Sequence, residues 1–450
     1  MRVYSRMRSF RFIIRLIGAL WNRAKMFRKK RVYITTIGCP RRLLDASRLI
    51  RYFEVNKCIV VERPQKADHI IFISCSCRKS KEDNSFQLIE DFKKHKGKLI
   101  VAGCLPAIAP TKFKDRFKGD FITTRRLPDI DNYFKDFRIK FSDIPDTAIF
   151  IDYSAPVNLL SRYLRNILEC LKTFIKRCLK FAKYRTVGSV EHTVKKDKRT
   201  TAKEKSVLVH MRIGWGCSWN CTYCSIRKSI GKFRSKPLNL CLKEYKTLLD
   251  KGYRNFNIDA ADTGAYGLDI KSSFPELLNE MSFLDKDIDV NWTLMDIHPI
   301  WAIKYKNEIQ KRIEEKKITH IVFAIQSGSD RILDLMDRHV TSRDMETVLS
   351  EFKNADPAFG LTTQIIIGFP SETDEEFMAT LDCIKRVGFD HVVIFEYYGG
   401  EGTPASRLDG QVDHKIIQDR VGAAIDFLKK ENITYEYDPP FEIPINKIDL

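Results

Sequence analysis

No stretch of this 450-residue chain approaches the about 18 uninterrupted apolar residues that a membrane-spanning helix requires. The most apolar N-terminal segment, FRFIIRLIGALW, is interrupted by Arg15 and has no small-residue cleavage site, so it does not read as a secretory leader. Cysteine is too sparse for a disulfide scaffold: 12 residues in a long chain of ordinary composition, 44% of it apolar. These absences argue against a membrane-embedded protein and against a small secreted module. The expected location is the reducing cytoplasm, where clustered cysteines hold metal rather than pair as disulfides. At this length two or three domains can each bury a core.

Acid is missing from one place in particular. Met1 to Arg31 carries 11 Lys/Arg and no Asp or Glu, and Ser154 to Ser206 carries 14 Lys/Arg against four acids. These two segments account for the whole net charge of +20 and leave a nearly neutral body. Polyphosphate binding is therefore expected at the segments, not over the body. Between Leu160 and Ala182 apolar residues recur at three- and four-residue spacing, predicting a basic amphipathic helix within 151–206, followed by a Lys-rich linker. Packing on the protein itself, contact with an RNA backbone and peripheral docking on a membrane all fit such a helix. The same alternatives apply to residues 1–31, where Met26 offers a second start just before the first strand.

The expected fold class is α/β, with an N-terminal parallel α/β domain over 32–150 and a partial (β/α) TIM-like barrel over 207–410. In the first, RVYITTIG, CIVVER, HIIFIS, KLIVAG and DFITT read as strands, and helical stretches lie between them. Alternating β and α predicts a parallel sheet. In the second, six strand-like runs from VLVHMRIGW to HVVIFEYYG alternate with helices, which places an active site at the strand C-terminal ends. Residues 411–450 read as a short C-terminal segment.

Cys217, Cys221 and Cys224 stand in IGWGCSWNCTYCSIRK at C-x3-C-x2-C spacing, just past the first barrel strand. A structural zinc site needs four ligands, and no nearby fourth Cys or His completes this one. Three thiolates in one loop instead match three irons of a cubane cluster, leaving the fourth iron open. Cys39, Cys75 and Cys104 each follow a predicted strand. Strand carboxyl ends of a parallel sheet share one edge, so these thiols can converge and hold a second cluster. Each on its own also reads as a small buried hydrophobe. Cys77 is taken as a packing residue, and Cys58, Cys170, Cys178, Cys241 and Cys383 as structural.

From about residue 32 to 410 the chain resembles the radical S-adenosylmethionine (SAM) methylthiotransferases. The resemblance rests on TIGCPRRLLDAS, ISCSCRKS and VAGC, then on the three-cysteine loop with GKFRSKP. It continues in order through DTGAYGLD, IQSGSDRILDLMDR, IIIGFPSETDEEF and FEYYGGEGTPA. It implies two 4Fe–4S clusters and SAM, which chelates the open iron of the Cys217, Cys221 and Cys224 cluster. A radical formed there takes hydrogen from an unactivated carbon, and sulfur and a methyl group follow. Tyr223 matches the aromatic residue usual before the last cysteine. Gln326, Ser327 and Gly368 are implied to line the SAM side, although Gly368 with Pro370 also reads as a plain strand-to-helix turn. The resemblance further implies a tRNA or ribosomal-protein substrate and a flavodoxin or ferredoxin reductant, with no stable partner chain. A different sulfur or small-molecule radical chemistry, or a non-catalytic iron–sulfur protein, is the alternative.

Departures from the family pattern fall on the substrate side. Arg227, Lys228 and Ile230 replace the residues usual after the third cysteine. Gln364 stands where an acid is expected, Ser371 where a glycine is, and Tyr398 and Gly400 where Ser and Arg are. The residues after 410 are too few for the family's C-terminal TRAM β-barrel.

Overall fold

A computed structural model describes residues 29–152, 207–438 and 448–449. The predicted basic helix and linker, Met26 and nearly all of the basic N-terminal segment lie outside the described residues.

Five parallel strands make the first sheet: β1 (Arg31–Thr36), β2 (Ile59–Val60), β3 (His69–Ser74), β4 (Lys98–Gly103) and β5 (Asp120–Thr123), in the order β2-β1-β3-β4-β5. Central β3 is apolar on both faces, as a strand covered on each side must be. Ile71 and Ile73 join Tyr52, Phe53 and Phe134 on one side, while Ile70 and Phe72 join Phe86, Ile89 and Phe113 on the other. Pro40 opens helix Pro40–Val55, where its missing N–H goes unmissed, so Cys39 occupies the N-cap directly after β1. Cys104 caps helix Leu105–Ile108 in the same way.

The second sheet comprises β6 (Ile149–Asp152), β7 (Val207–Arg212), β10 (Asn255–Asp259), β11 (Asn291–Ile297), β12 (Ile318–Gln326), β13 (Gly360–Ile367), β14 (His391–Glu396), β15 (Thr434–Tyr437) and β16 (Ile448–Asp449). Short β8 (Gly214–Trp215) and β9 (Arg234–Ser235) form a separate antiparallel pair. From β7 to β15 every neighbouring pair is parallel, which gives an open (β/α) half-barrel. Its core runs from Met211 and Trp292 to Phe323 and Leu428. Thr341 and Thr373 start their helices with full capping boxes.

Two boundaries differ from the sequence expectation. Strand β6 pairs antiparallel with β7 and so belongs to the barrel sheet, although it begins inside 32–150 and runs across that boundary. Residues 414–437 are barrel as well: helix His414–Lys430 packs on β13 and β14 through Ile417 and Val421, and β15 pairs with β14. Neither element is long or periodic enough to declare its sheet before pairing does. No helix among the described residues is long and apolar enough to cross a membrane.

Candidate active site between two cysteine groups

Glycine immediately precedes a cysteine of each group where the backbone turns sharply. Gly103 has φ +99°, and a Cβ there would sit 2.4 Å from the Ser74 carbonyl oxygen. Gly216 has φ +81°, with Lys232 backbone in the space a Cβ would take. The chain is thereby forced close to its neighbour just before Cys104 and Cys217.

At the edge of the first sheet Cys39, Cys75 and Cys104 lie near enough to feel one another's charge. Cys75 is clamped by Ser85, whose hydroxyl accepts from the Cys75 N–H at 3.0 Å and donates to its carbonyl at 2.6 Å. The hydrogen-bonded Cys77 thiol, with burial, pushes the Cys75 thiol above its ordinary range; burial does the same for Cys104, where Arg42 opposes it. Burial also works against the Arg42 charge, yet Asp45, Cys104 and Cys39 hold it above the usual arginine range. Such thiols stay protonated in the bare site, whereas a coordinating metal ionises them outright.

The barrel loop is tethered from three directions. Asp262 accepts from Ser218, from Trp219 Nε1 at 3.2 Å and from Trp301 Nε1 at 2.7 Å. Thr222 donates to Met336 and Leu335 carbonyls at 3.1 and 2.7 Å and accepts from the Ala405 N–H at 3.0 Å. Arg338, 4% exposed, holds Nη1 3.6 Å from Cys221 Sγ and donates Nη2 to the Ala324 carbonyl at 2.6 Å. Burial pushes the Cys217 thiol up, and Asp262 adds to that.

Gln326 ends β12 at φ +67°, and its buried Oε1 has no partner. The same is true of His298 Nε2 and Arg338 Nε. His298 stacks on Trp219 with ring centroids 3.9 Å apart, and burial keeps it neutral. Unsatisfied buried donors and acceptors call for a partner, and two of the three, on His298 and Arg338, lie beside the loop, where a polar ligand would satisfy them. Ser327 is different: its hydroxyl is engaged by Thr380 and the Ser329 N–H. The Gly368 N–H goes to Glu372, and φ +81° makes this residue a turn glycine. Tyr223 packs among Ile332, Met336, Ile366 and Phe369. Among the described residues no three Cys, His, Asp or Glu side chains converge closely enough for one metal ion. A cluster makes another demand, since each thiolate binds its own iron.

Side chains close to both groups make contacts across the domain junction. Thr124 Oγ1 lies 3.6 Å from Cys104 Sγ and accepts from Ser229, five residues past Cys224, at 2.9 Å. Arg41, two residues past Cys39, donates Nη1 to Asp259 and Asp296 at 2.7 Å each. Arg212 bridges Asp45 and Asp146 at 2.9 Å each. Arg41, Arg338 and Asp262 were not singled out in the sequence. All three lie inside motifs already quoted: Arg41 in TIGCPRRLLDAS, Asp262 in DTGAYGLD and Arg338 in IQSGSDRILDLMDR.

Several departures now have local explanations. Gln364 donates to Asp296 at 3.1 Å. Tyr398 donates to buried Glu82 of the first domain at 2.9 Å. Ser371 takes φ +66°, a glycine-like conformation, held by Arg331. Cys241 and Cys383 are buried as structural residues are. Cys170 and Cys178 lie outside the described residues.

Comparison with known proteins matches residues 211–384 to the Radical SAM superfamily and residues 31–124 to Uncharacterized protein family UPF0004. Ribosomal protein uS12 methylthiotransferase RimO of Geotalea uraniireducens is 27% identical, covering 87% of this chain and 80% of its own. Threonylcarbamoyladenosine tRNA methylthiotransferase MtaB of Thermotoga maritima is also 27% identical, over 90% and 83%. The tRNA-2-methylthio-N(6)-dimethylallyladenosine synthase of Thermodesulfovibrio yellowstonii matches at 27% over 93% and 87%. Among solved structures, the radical SAM methyltransferase TsrM from Kitasatospora setae superposes with a TM-score of 0.54 at 11% identity, covering 84% of this chain and 77% of its own. That last likeness bears on the fold alone.

Half-barrel, loop and matches together define a radical SAM enzyme. Within that class the chain belongs to the methylthiotransferases, transferases whose cofactors are SAM and 4Fe–4S clusters.

Proposed function

We propose that Cys217, Cys221 and Cys224 hold the cluster that binds SAM, that Cys39, Cys75 and Cys104 hold a second, and that the acceptor is tRNA. The observation that supports the two-cluster reading is the Cys104, Thr124 and Ser229 contact, which sets Cys104 against the helix that follows Cys224. When bound, the cofactors supply the radical that removes hydrogen from carbon, and the sulfur and methyl group that replace it.

The chain's own residues position and tune. Arg338 offers a hydrogen-bond donor to the Cys221 sulfur and a positive charge beside thiolates, both of which raise a cluster's potential. Gln326 Oε1 and His298 Nε2 are left for the polar groups of SAM. Trp219, stacked on His298, covers the loop with apolar surface. Arg41 ties the second group to the barrel mouth through Asp259 and Asp296.

Support for tRNA over a ribosomal protein comes from the two basic segments, which hold the whole net charge. Reduced, reconstituted protein is incubated with SAM, sulfide and either tRNA or small-subunit ribosomal proteins, and digests are analysed by mass spectrometry. A methylthio nucleoside is expected. A methylthio amino acid would move the acceptor to protein, and SAM cleavage with neither product would end the methylthiolation reading.

A further inference from the structure

Cys77 has no part in the site described so far, yet its sulfur lies 3.5 Å from that of Cys75. The pair is held apart from solvent to different degrees: Cys75 is 5% exposed, whereas Cys77 is half-buried at the margin of the apolar face. Their loop is fixed. Ser76 between them donates to buried Glu82 at 2.6 Å, and Glu82 also receives Lys112 at 3.0 Å and Tyr398 from the barrel domain. The Ser85 clamp holds Cys75 itself. The two sulfurs are therefore kept at the 3 to 3.5 Å separation, roughly, from which sulfur exchange proceeds.

Sulfur insertion uses up sulfur, which has to come from outside. Cys75 and Cys104 are buried, and Cys39 is assigned to the cluster, so Cys77 is the accessible thiol in contact with the second group that has no other task. We propose that Cys77 is a sulfur-accepting thiol, taking sulfane sulfur from a polysulfide or persulfide donor and holding it beside Cys75. This rests on the two-cluster reading above. In the step, the Cys77 thiolate attacks the terminal sulfur of the donor. A Cys77–sulfur bond forms, the donor's sulfur–sulfur bond breaks, and the electron pair leaves on a donor one sulfur shorter, which takes up the thiol proton. One zero-valent sulfur moves and nothing is oxidised or reduced overall.

The test uses reconstituted full-length protein treated anaerobically with inorganic tetrasulfide in one arm and free cysteine persulfide in the other. The protein is then desalted, alkylated, digested and sequenced by mass spectrometry, with fragmentation between Cys75 and Cys77. A sulfur adduct on Cys77, several-fold above that on half-buried Cys58, is expected; the arm giving it identifies the donor class. Cys77→Ser is expected to keep its iron content while losing most of the bound sulfane sulfur. Equal labelling of Cys58 and Cys77, a Cys75–Cys77 disulfide in place of the adduct, or iron loss in Cys77→Ser would each overturn the proposal. If the unaltered protein holds iron for one cluster alone, the two-cluster reading fails instead, whatever Cys77 does.

Discussion

Cys217, Cys221 and Cys224 occupy eight consecutive positions of one loop, whereas Cys39, Cys75 and Cys104 are spread over 66 residues and come from three strands. The first group is near itself by covalent connection, and the fold has only to shape and tether its loop, which Asp262, Thr222 and Arg338 do. The second group exists only because β1, β3 and β4 pair in register, so its geometry is that of the sheet. A local site is therefore sensitive to its tethers, and an assembled one to backbone packing at the sheet edge.

The largest expected effect tests whether the groups are separate at all. Replacing Cys39, Cys75 and Cys104 together by Ala is expected to lower iron from about eight to about four per chain, the content of two and one four-iron clusters, while SAM cleavage persists. Replacing Cys217, Cys221 and Cys224 is expected to halve iron as well but to abolish 5′-deoxyadenosine formation. Iron unchanged by the first triple substitution would dissolve the comparison.

Next comes the assembled site's dependence on backbone. Gly103→Ala forces a Cβ against the Ser74 carbonyl at φ +99°, which costs about 1–3 kcal/mol in strain. Thermal unfolding should show that loss, and iron of the second group should fall while SAM cleavage continues.

The opposite selectivity is expected at the loop. Asp262→Ala strips the partner from two indole N–H groups, Trp219 and Trp301. Each unsatisfied donor costs about 1–3 kcal/mol where it stays buried. Iron held by Cys217, Cys221 and Cys224 should drop, with the second cluster's spectrum retained.

The smallest effect concerns tuning. Arg338→Gln should keep both clusters but lower the potential of the first, since a donor and a charge beside Cys221 are lost. A 10- to 100-fold fall in SAM cleavage, roughly the scale of outer-shell substitutions at metal sites, should be largely restored by Arg338→Lys. An unchanged potential in redox titration would count against this role.

Legibility in the sequence followed the same division. Alternating apolar runs and helical periodicity announced both parallel sheets, because each element's pattern is set by its own burial. Strand β15 and helix His414–Lys430 were read as a tail, since a four-residue strand at an edge carries almost no pattern of its own. The motif departures at Gln364, Ser371 and Tyr398 were visible as departures, but their partners Asp296, Arg331 and Glu82 lie 40 or more residues away.

What the sequence determined by itself is the spacing of Cys217, Cys221 and Cys224, the glycines that let the chain turn before Cys104 and Cys217, and the caps that start the helices. Each depends on residues within a few positions of one another, where covalent geometry limits the outcome. Tertiary structure alone decided that Cys39, Cys75 and Cys104 come within reach of one another's charge, that Cys77 touches Cys75 from a more open position, and that Arg41 reaches from the first domain to Asp259 and Asp296. Those contacts depend on strand register and domain docking, which bring side chains together through space without leaving any periodic trace along the chain.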